Sequence, residues 1–377
     1  MLDSVGCGHA PDAAAYGDEG ANTLGHILEQ RPATKLPTLK SLGLHQALAL
    51  ARGEAPGSLP LKGAAGVLTE RSVGKDTTTG HWELAGAVIA EAFATFGRFP
   101  PALVRAIEAE AGVEFIGNCA ASGTAILETL GAEHVATGHP ILYTSADSVL
   151  QIAAHEDVIP LDRLYAICEV ARRHADAARI GRVIARPFIG VAGNFQRTAN
   201  RHDFSLVPPR TVLNALSEAG IPVIGVGKIS DIFAGSGVTD SHPTKSNADG
   251  MAVLDHLWTE TREGLIFANL VDFDMLFGHR RDVEGYARAL ETFDAWLAKF
   301  LPRIGPDDLV LITADHGNDP TWRGTDHTRE RVPIFAPNSP PGLLGCRETY
   351  ADVAAALATY FALDAWPEGT GLRALPR

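Results

Sequence analysis

LVLITADHGNDP (309–320) begins as an apolar run and ends in a carboxylate, an imidazole, a glycine and further polar residues. The first part reads as a strand buried inside a sheet. Asp315 and His316 then fall where that strand gives way to a loop. One Asp-His pair at such a place is explained most simply as loop polarity with a helix cap. Two other stretches repeat the chemistry. VDFDMLFGHRRD (271–282) supplies Asp274 and His279 after an apolar strand, and GTDHTRE (324–330) supplies His327. Carboxylate oxygens and imidazole nitrogens are donors for divalent metals. Their recurrence in three separate stretches favours metal binding over loop polarity. Neighbours on a regular strand point to opposite faces, so Asp315 and His316 can share a metal only if the chain bends there. Gly317 would ease that bend. Asp274 and His279 are five apart, which is not one α-helical face, so a loop is expected to bring them together.

Working outward, IPVIGVG (221–227), GLIFANLVDFD (264–274), DLVLITADHG (308–317) and RVPIFAPN (331–338) read as strands. Pro333 marks the last as an edge strand or an interrupted ladder. Residues 284–301 place Tyr286, Leu290, Phe293, Leu297 and Phe300 on one helical face, and Tyr350, Val353, Leu357 and Phe361 repeat the pattern over 348–361. Strands alternating with helices imply an α/β core, a mostly parallel central sheet flanked by helices, with its site at the carboxyl ends of the strands. Residues 93–209 read differently. Prolines punctuate them, and YTSADSVLQIAAHED (143–157) and GRVIARPFIG (181–190) look like strand-to-loop segments. The expected organisation is a catalytic core over 1–92 and 210–377 with an inserted α+β domain over 93–209.

The chain has 377 residues, 46% of them hydrophobic, which is enough for about two domains. A net charge of -13 makes nucleic acid and anionic membranes poor partners. Cys7, Cys119, Cys168 and Cys346 are scattered, as in a reduced cytoplasmic protein. No basic-then-apolar leader opens the sequence, and no apolar run reaches the length of about 18 residues that a membrane span requires.

SVGKDTTTGHWE (72–83) carries three threonines after Asp76, which could be a plain polar turn. It lacks the P-loop spacing. Beside a divalent cation, a hydroxyl can instead accept a phosphoryl group. GVGKIS (225–230) misses the dinucleotide fingerprint at Ser230, and Lys228 serves better as a phosphate contact. MLDSVGCG (1–8) places Asp3 in a glycine-rich turn.

Together with DSVGCGHAPDA, GKDTTTGHWE, Arg186-Pro187, Asn200-Arg201-His202-Asp203 and GKISDIF, these stretches run almost end to end. In them the chain resembles the phosphopentomutase family of the alkaline phosphatase superfamily. The resemblance implies an alkaline phosphatase-like core with an inserted cap and two divalent cations, usually manganese. Asp274, His279 and His327 would hold one cation, and Asp3, Asp315 and His316 the other. Thr77 falls where the family carries its phosphorylated threonine. Arg186, Arg201 and Lys228 match positions that contact the pentose phosphate, and Asp147 lies in a substrate-facing cap motif. The implied reaction interconverts ribose 1-phosphate and ribose 5-phosphate, and the 2-deoxy sugars, in nucleoside catabolism. A sugar bisphosphate such as glucose 1,6-bisphosphate would prime it.

One departure stands out. The family places a full strand before the ligand aspartate, and here only Met1 and Leu2 precede Asp3. The expectation is a poorly anchored Asp3, and greater stability and activity in an N-terminally extended version. Rival readings are a phosphatase or phosphoglycerate mutase of the same superfamily, and an inactive metal-binding homologue.

Overall fold

The computed structural model describes residues 1–58, 60–145 and 148–372. Its strands are, in chain order, β1 (Ala64–Leu68), β2 (Ile116–Ala120), β3 (Ile141–Thr144), β4 (Val149–His155), β5 (Arg182–Val191), β6 (Asn194–Arg197), β7 (His202–Ser205), β8 (Val223–Val226), β9 (Asp240–His242), β10 (Leu265–Ala268), β11 (Ile312–Thr313), β12 (Val332–Ala336) and β13 (Gly342–Arg347). Two compact units emerge: residues 92–207, and the segments on either side of them.

The discontinuous unit holds two sheets, ordered β11-β12-β1-β13 and β10-β8-β9. β1/β13, β10/β8 and β8/β9 pair parallel; β12 runs antiparallel to β1 and β11. The chain start lies against the ends of β10 and β11. Leu2 bridges Leu270 in parallel and donates its N–H to Thr313 O at 2.8 Å, while Asp3 N–H donates to Leu270 O at 3.2 Å. These bonds correct the expectation that Asp3 is poorly anchored. Behind them Met1, Leu2, Phe267, Leu270, Phe293 and Leu311 line an apolar cavity of about 170 Å³.

The helix Val283–Phe300 buries Tyr286, Leu290, Phe293, Leu297 and Phe300 on one stripe, and Asp282 caps it by accepting from Gly285 N–H at 2.8 Å. Tyr286, Leu290, Phe293 and Leu297 join Leu2, Val67, Phe273 and Phe335 in the main core. The final helix is shorter than its pattern, Asp352–Tyr360. DLVLITADHG also forms less ladder than its hydrophobicity suggests: only Ile312 and Thr313 pair, with Phe335 and Ile334. Pro333 is not on an edge, because β12 lies between β11 and β1. It sits just beyond the last β11 pair, so its missing N–H interrupts no bond on that side.

In the other unit the sheet order is β2-β3-β4-β5-β6, with β7 also on β5. YTSADSVLQIAAHED contributes to two strands, β3 and β4, which pair antiparallel. The helices Pro101–Ala111 and Leu161–Ala177 bury Ile107, Leu164, Ile167 and Ala171 against Leu150, Ile152 and Val183. Among the described residues no helix is long and apolar enough to cross a membrane.

Candidate metal centre

Asp3, Asp315 and His316 bring one ligand atom each within 4.8 Å of one another, and so do Asp274, His316 and His327. His316 belongs to both groups. Its Nε2 lies 3.5 Å from Asp3 Oδ1 and 3.3 Å from Asp315 Oδ2. Its ring stacks on that of His327, centroids 4.0 Å apart. His279 completes the second group: its Nε2 is 3.1 Å from Asp274 Oδ2 and 3.2 Å from His327 Nε2.

No loop gathers Asp274 and His279, contrary to the expectation from their spacing. Phe273–Gly278 is a π-helical turn, and His279 N–H donates to Asp274 O at 3.0 Å. An i→i+5 turn brings residues five apart onto one face, and such turns occur frequently at functional sites. Asp315 and His316 do leave strand geometry. Gly317 serves there by its size: an added Cβ would lie 2.4 Å from Glu330 Oε1.

The donor set fits a divalent cation. Asp3 Oδ1, Asp3 Oδ2 and Asp315 Oδ2 are buried without a hydrogen-bond partner. Buried carboxylate oxygens are costly in that condition unless charge compensates them. His279 Nδ1 lies 2.7 Å from Thr325 O and His316 Nδ1 3.1 Å from Gly317 O. A carbonyl can only accept, so both Nδ1 atoms carry a proton, and Nε2 is the atom each ring would turn to a cation once neutral. Burial, then Asp315 and Asp274, raise Asp3 well above the usual carboxylate range. Burial opposes ionisation of Asp315, but His316 and His81 outweigh it and hold the carboxyl low. Burial works against the His316 imidazolium, yet Asp315, Asp274 and Asp3 raise its pKa to about 9.

Thr77 opens the helix Thr77–Leu84, so GKDTTTGHWE is a helix start and not a polar turn. Asp76 caps it, accepting from Thr78 N–H at 2.9 Å and Thr79 N–H at 3.2 Å. The amphipathic signal fails because the segment from Thr79 to Leu84 is buried all round. Thr77 Oγ1 lies 3.1 Å from His316 Nε2. Four residues on, His81 Nδ1–H donates to Thr77 O at 2.8 Å and lies 3.1 Å from Asp315 Oδ2. Asn318 Nδ2 donates to Asp274 Oδ1 at 2.7 Å. His81 and Asn318 were missed as site residues. Their signals were present: one helical turn after Thr77, and the residue two beyond His316.

Lys228 follows β8 and caps the turn Ile229–Ile232; its positive charge favours ionisation of Asp3. In the other unit Arg186 lies on β5, half-buried, with Nε donating to Gln151 Oε1 at 2.9 Å. Burial, then neighbouring Arg201 and Arg197, lowers its pKa. Arg201 is forked onto Asp203, both contacts 2.6 Å. Arg197 is a third cation that the motifs did not single out. Asp147 lies outside the described residues.

This arrangement of buried carboxylates with clustered imidazoles belongs to a known class: over residues 1–365 the chain matches the metalloenzyme superfamily, whose fold is alkaline phosphatase-like, and it is a member of that superfamily. It is 53% identical to the phosphopentomutase of Caldanaerobacter subterraneus subsp. tengcongensis, over 100% of this chain and 97% of that one. It is 52% identical to those of Syntrophotalea carbinolica, over 97% and 94%, and Anaeromyxobacter sp. strain K, over 96% and 94%. Within the superfamily the chain belongs to the phosphopentomutase family and is a mutase of the isomerase class.

Proposed function

We propose that the chain interconverts ribose 1-phosphate and ribose 5-phosphate, with their 2-deoxy counterparts, through a phosphothreonine at Thr77 and a sugar bisphosphate. The observation that carries this reading is Thr77 Oγ1 at 3.1 Å from Nε2 of His316, the residue shared by both candidate ligand groups. Asp3, Asp315 and His316 would hold one manganese ion, and Asp274, His279 and His327 the other. When bound, such a pair stabilises charge on the entering and leaving oxygens of an in-line phosphoryl transfer.

The chain's own groups supply the rest. Thr77 stands at a helix N-terminus, where the helix dipole favours an anionic substituent. In the first transfer the bond from phosphorus to Thr77 Oγ1 breaks and a bond to the sugar hydroxyl oxygen forms. The proton lost by that hydroxyl is balanced by one gained at Thr77. The bisphosphate then returns its other phosphoryl group, reversing both changes. Lys228, Arg186, Arg201 and Asp147 are proposed to grip the sugar phosphate; arginine forks suit phosphate bidentately. The unit over 92–207 is proposed as a cap that excludes water, which would otherwise hydrolyse the phosphothreonine. We place this activity in nucleoside catabolism in the cytoplasm, primed by a bisphosphate such as glucose 1,6-bisphosphate.

Supplying ribose 1-phosphate with manganese tests the reading. Ribose 5-phosphate should accumulate without stoichiometric free phosphate. Release of free phosphate and ribose instead would make the chain a phosphatase and overturn it.

A further inference from the structure

We infer that Arg281 is a positioning residue that assembles the Asp274–His279–His327 site before any cation arrives. This deepens the two-cation reading and rests on it. The ligands come from separate segments: Asp274 and His279 from the π-helical turn, His327 from a loop that follows Pro320. Something must hold that loop against the turn, and the Arg281 guanidinium lies between them.

Its Nε donates to Gly324 O at 2.5 Å and its Nη2 to Asp326 O at 3.2 Å. The intervening carbonyl, Thr325 O, accepts from His279 Nδ1 at 2.7 Å. Three consecutive carbonyls are thus taken alternately by Arg281, His279 and Arg281. The two outer bonds fix the middle oxygen, and that oxygen holds the proton on Nδ1 of His279. Nε2, which faces Asp274 and His327, is thereby the atom the ring would offer to a cation. Arg281 acts a second time through Asn318. Its Nη1 donates to Asn318 Oδ1 at 2.7 Å, which leaves Asn318 Nδ2 as the end that donates to Asp274 Oδ1. The same nitrogen reaches Asp319 O at 2.9 Å and Gly278 O at 3.1 Å, closing the clamp back onto the turn. Lysine, with one nitrogen, cannot span five acceptors on both segments.

The backbone points the same way. Arg281 has φ 57°, in the left-handed region where glycine is at ease and a long side chain is not. A strained residue kept where glycine would fit invites a functional reading of its side chain.

The test is manganese titration of the full chain by calorimetry, with Mn2+ paramagnetic resonance, on wild type, Arg281→Gly and Arg281→Lys. Glycine relieves the backbone strain and deletes the clamp. Wild type should bind two ions. Both variants should keep one affinity unchanged and weaken the other about 10- to 100-fold, the range for lost outer-shell partners. Unchanged affinities at both sites would overturn the inference. So would equal weakening of both sites, or loss of folding in the glycine variant, since either indicates a general structural role. Wild type binding fewer than two ions would fail the two-cation reading itself.

Discussion

Gly80 is the place where the helix carrying Thr77 meets the strand end carrying Asp315. A Cβ added at residue 80 would lie 2.1 Å from Asp315 O and 2.8 Å from its carbonyl carbon. Carbon-to-oxygen contacts settle near about 3.3 Å, so in Gly80→Ala helix and strand end must part by roughly 1.2 Å. No rotamer relieves this, because both partners are backbone. If the shift falls along the line of the contact, Thr77 Oγ1 moves from 3.1 Å to about 4 Å from His316 Nε2, beyond hydrogen-bond reach. A misplacement of about 1 Å costs on the order of 100-fold in turnover. Overpacking of this kind costs about 1–3 kcal/mol of stability. The expected sign opposes intrinsic propensity, since alanine is about 1 kcal/mol better than glycine inside a helix. Turnover of ribose 1-phosphate at saturating manganese, with Tm by calorimetry, reads both effects. Wild-type turnover together with a raised Tm would refute the reasoning.

Thr77→Val keeps shape but removes the hydroxyl; after incubation with glucose 1,6-bisphosphate, mass spectrometry should find phosphate on the wild-type Thr77 peptide and none on the variant's. Asp3→Asn should stabilise the metal-free chain by about 1–3 kcal/mol, because a buried, unpartnered carboxylate is replaced by an uncharged group. The same change should abolish most of the Tm rise that manganese gives wild type; a metal-dependent rise equal to wild type's would count against Asp3 as a ligand. His134 sits in the other unit, with Nδ1 2.7 Å from His139 O and Nε2 accepting from His155 N–H at 2.8 Å. Burial, aided by His155, lowers its pKa. The unfolded imidazole therefore takes up a proton near pH 6.5 while the folded one resists, so this contribution is complete above that pH and is lost as pH falls. The loss reaches at most about 1.4 kcal/mol per pH unit. Stability measured from pH 7.5 to 5 should fall more steeply for wild type than for His134→Gln, and equal slopes would contradict the assignment.

The sequence exposed the chemistry of the candidate centre more readily than its geometry. Asp315, His316 and Asp274 announced themselves as carboxylates and an imidazole after apolar runs, with His327 in a separate polar stretch, and the α/β class followed from those runs alternating with helical stripes. The π-helical turn was not legible, because a spacing of five belongs to neither the α nor the β period. The helix at Thr77–Leu84 hid for a related reason: burial on all sides erases the amphipathic stripe. Gly317 read as a flexible position and Gly80 was not singled out, whereas what matters at each is close approach to a partner distant in sequence. Pro333 suggested an edge, since nothing local reveals that β11 ends one pair before it. Arg281 and Asn318 were not singled out, because nothing local marks their partners across the fold.

The claim on which the account turns is that two cations sit beside one hydroxyl. Anomalous diffraction from a crystal grown with manganese tests it most directly. The account expects two manganese peaks, one among Asp3, Asp315 and His316 and one among Asp274, His279 and His327, with Thr77 Oγ1 facing both. A single peak, or peaks away from these six side chains, would contradict it.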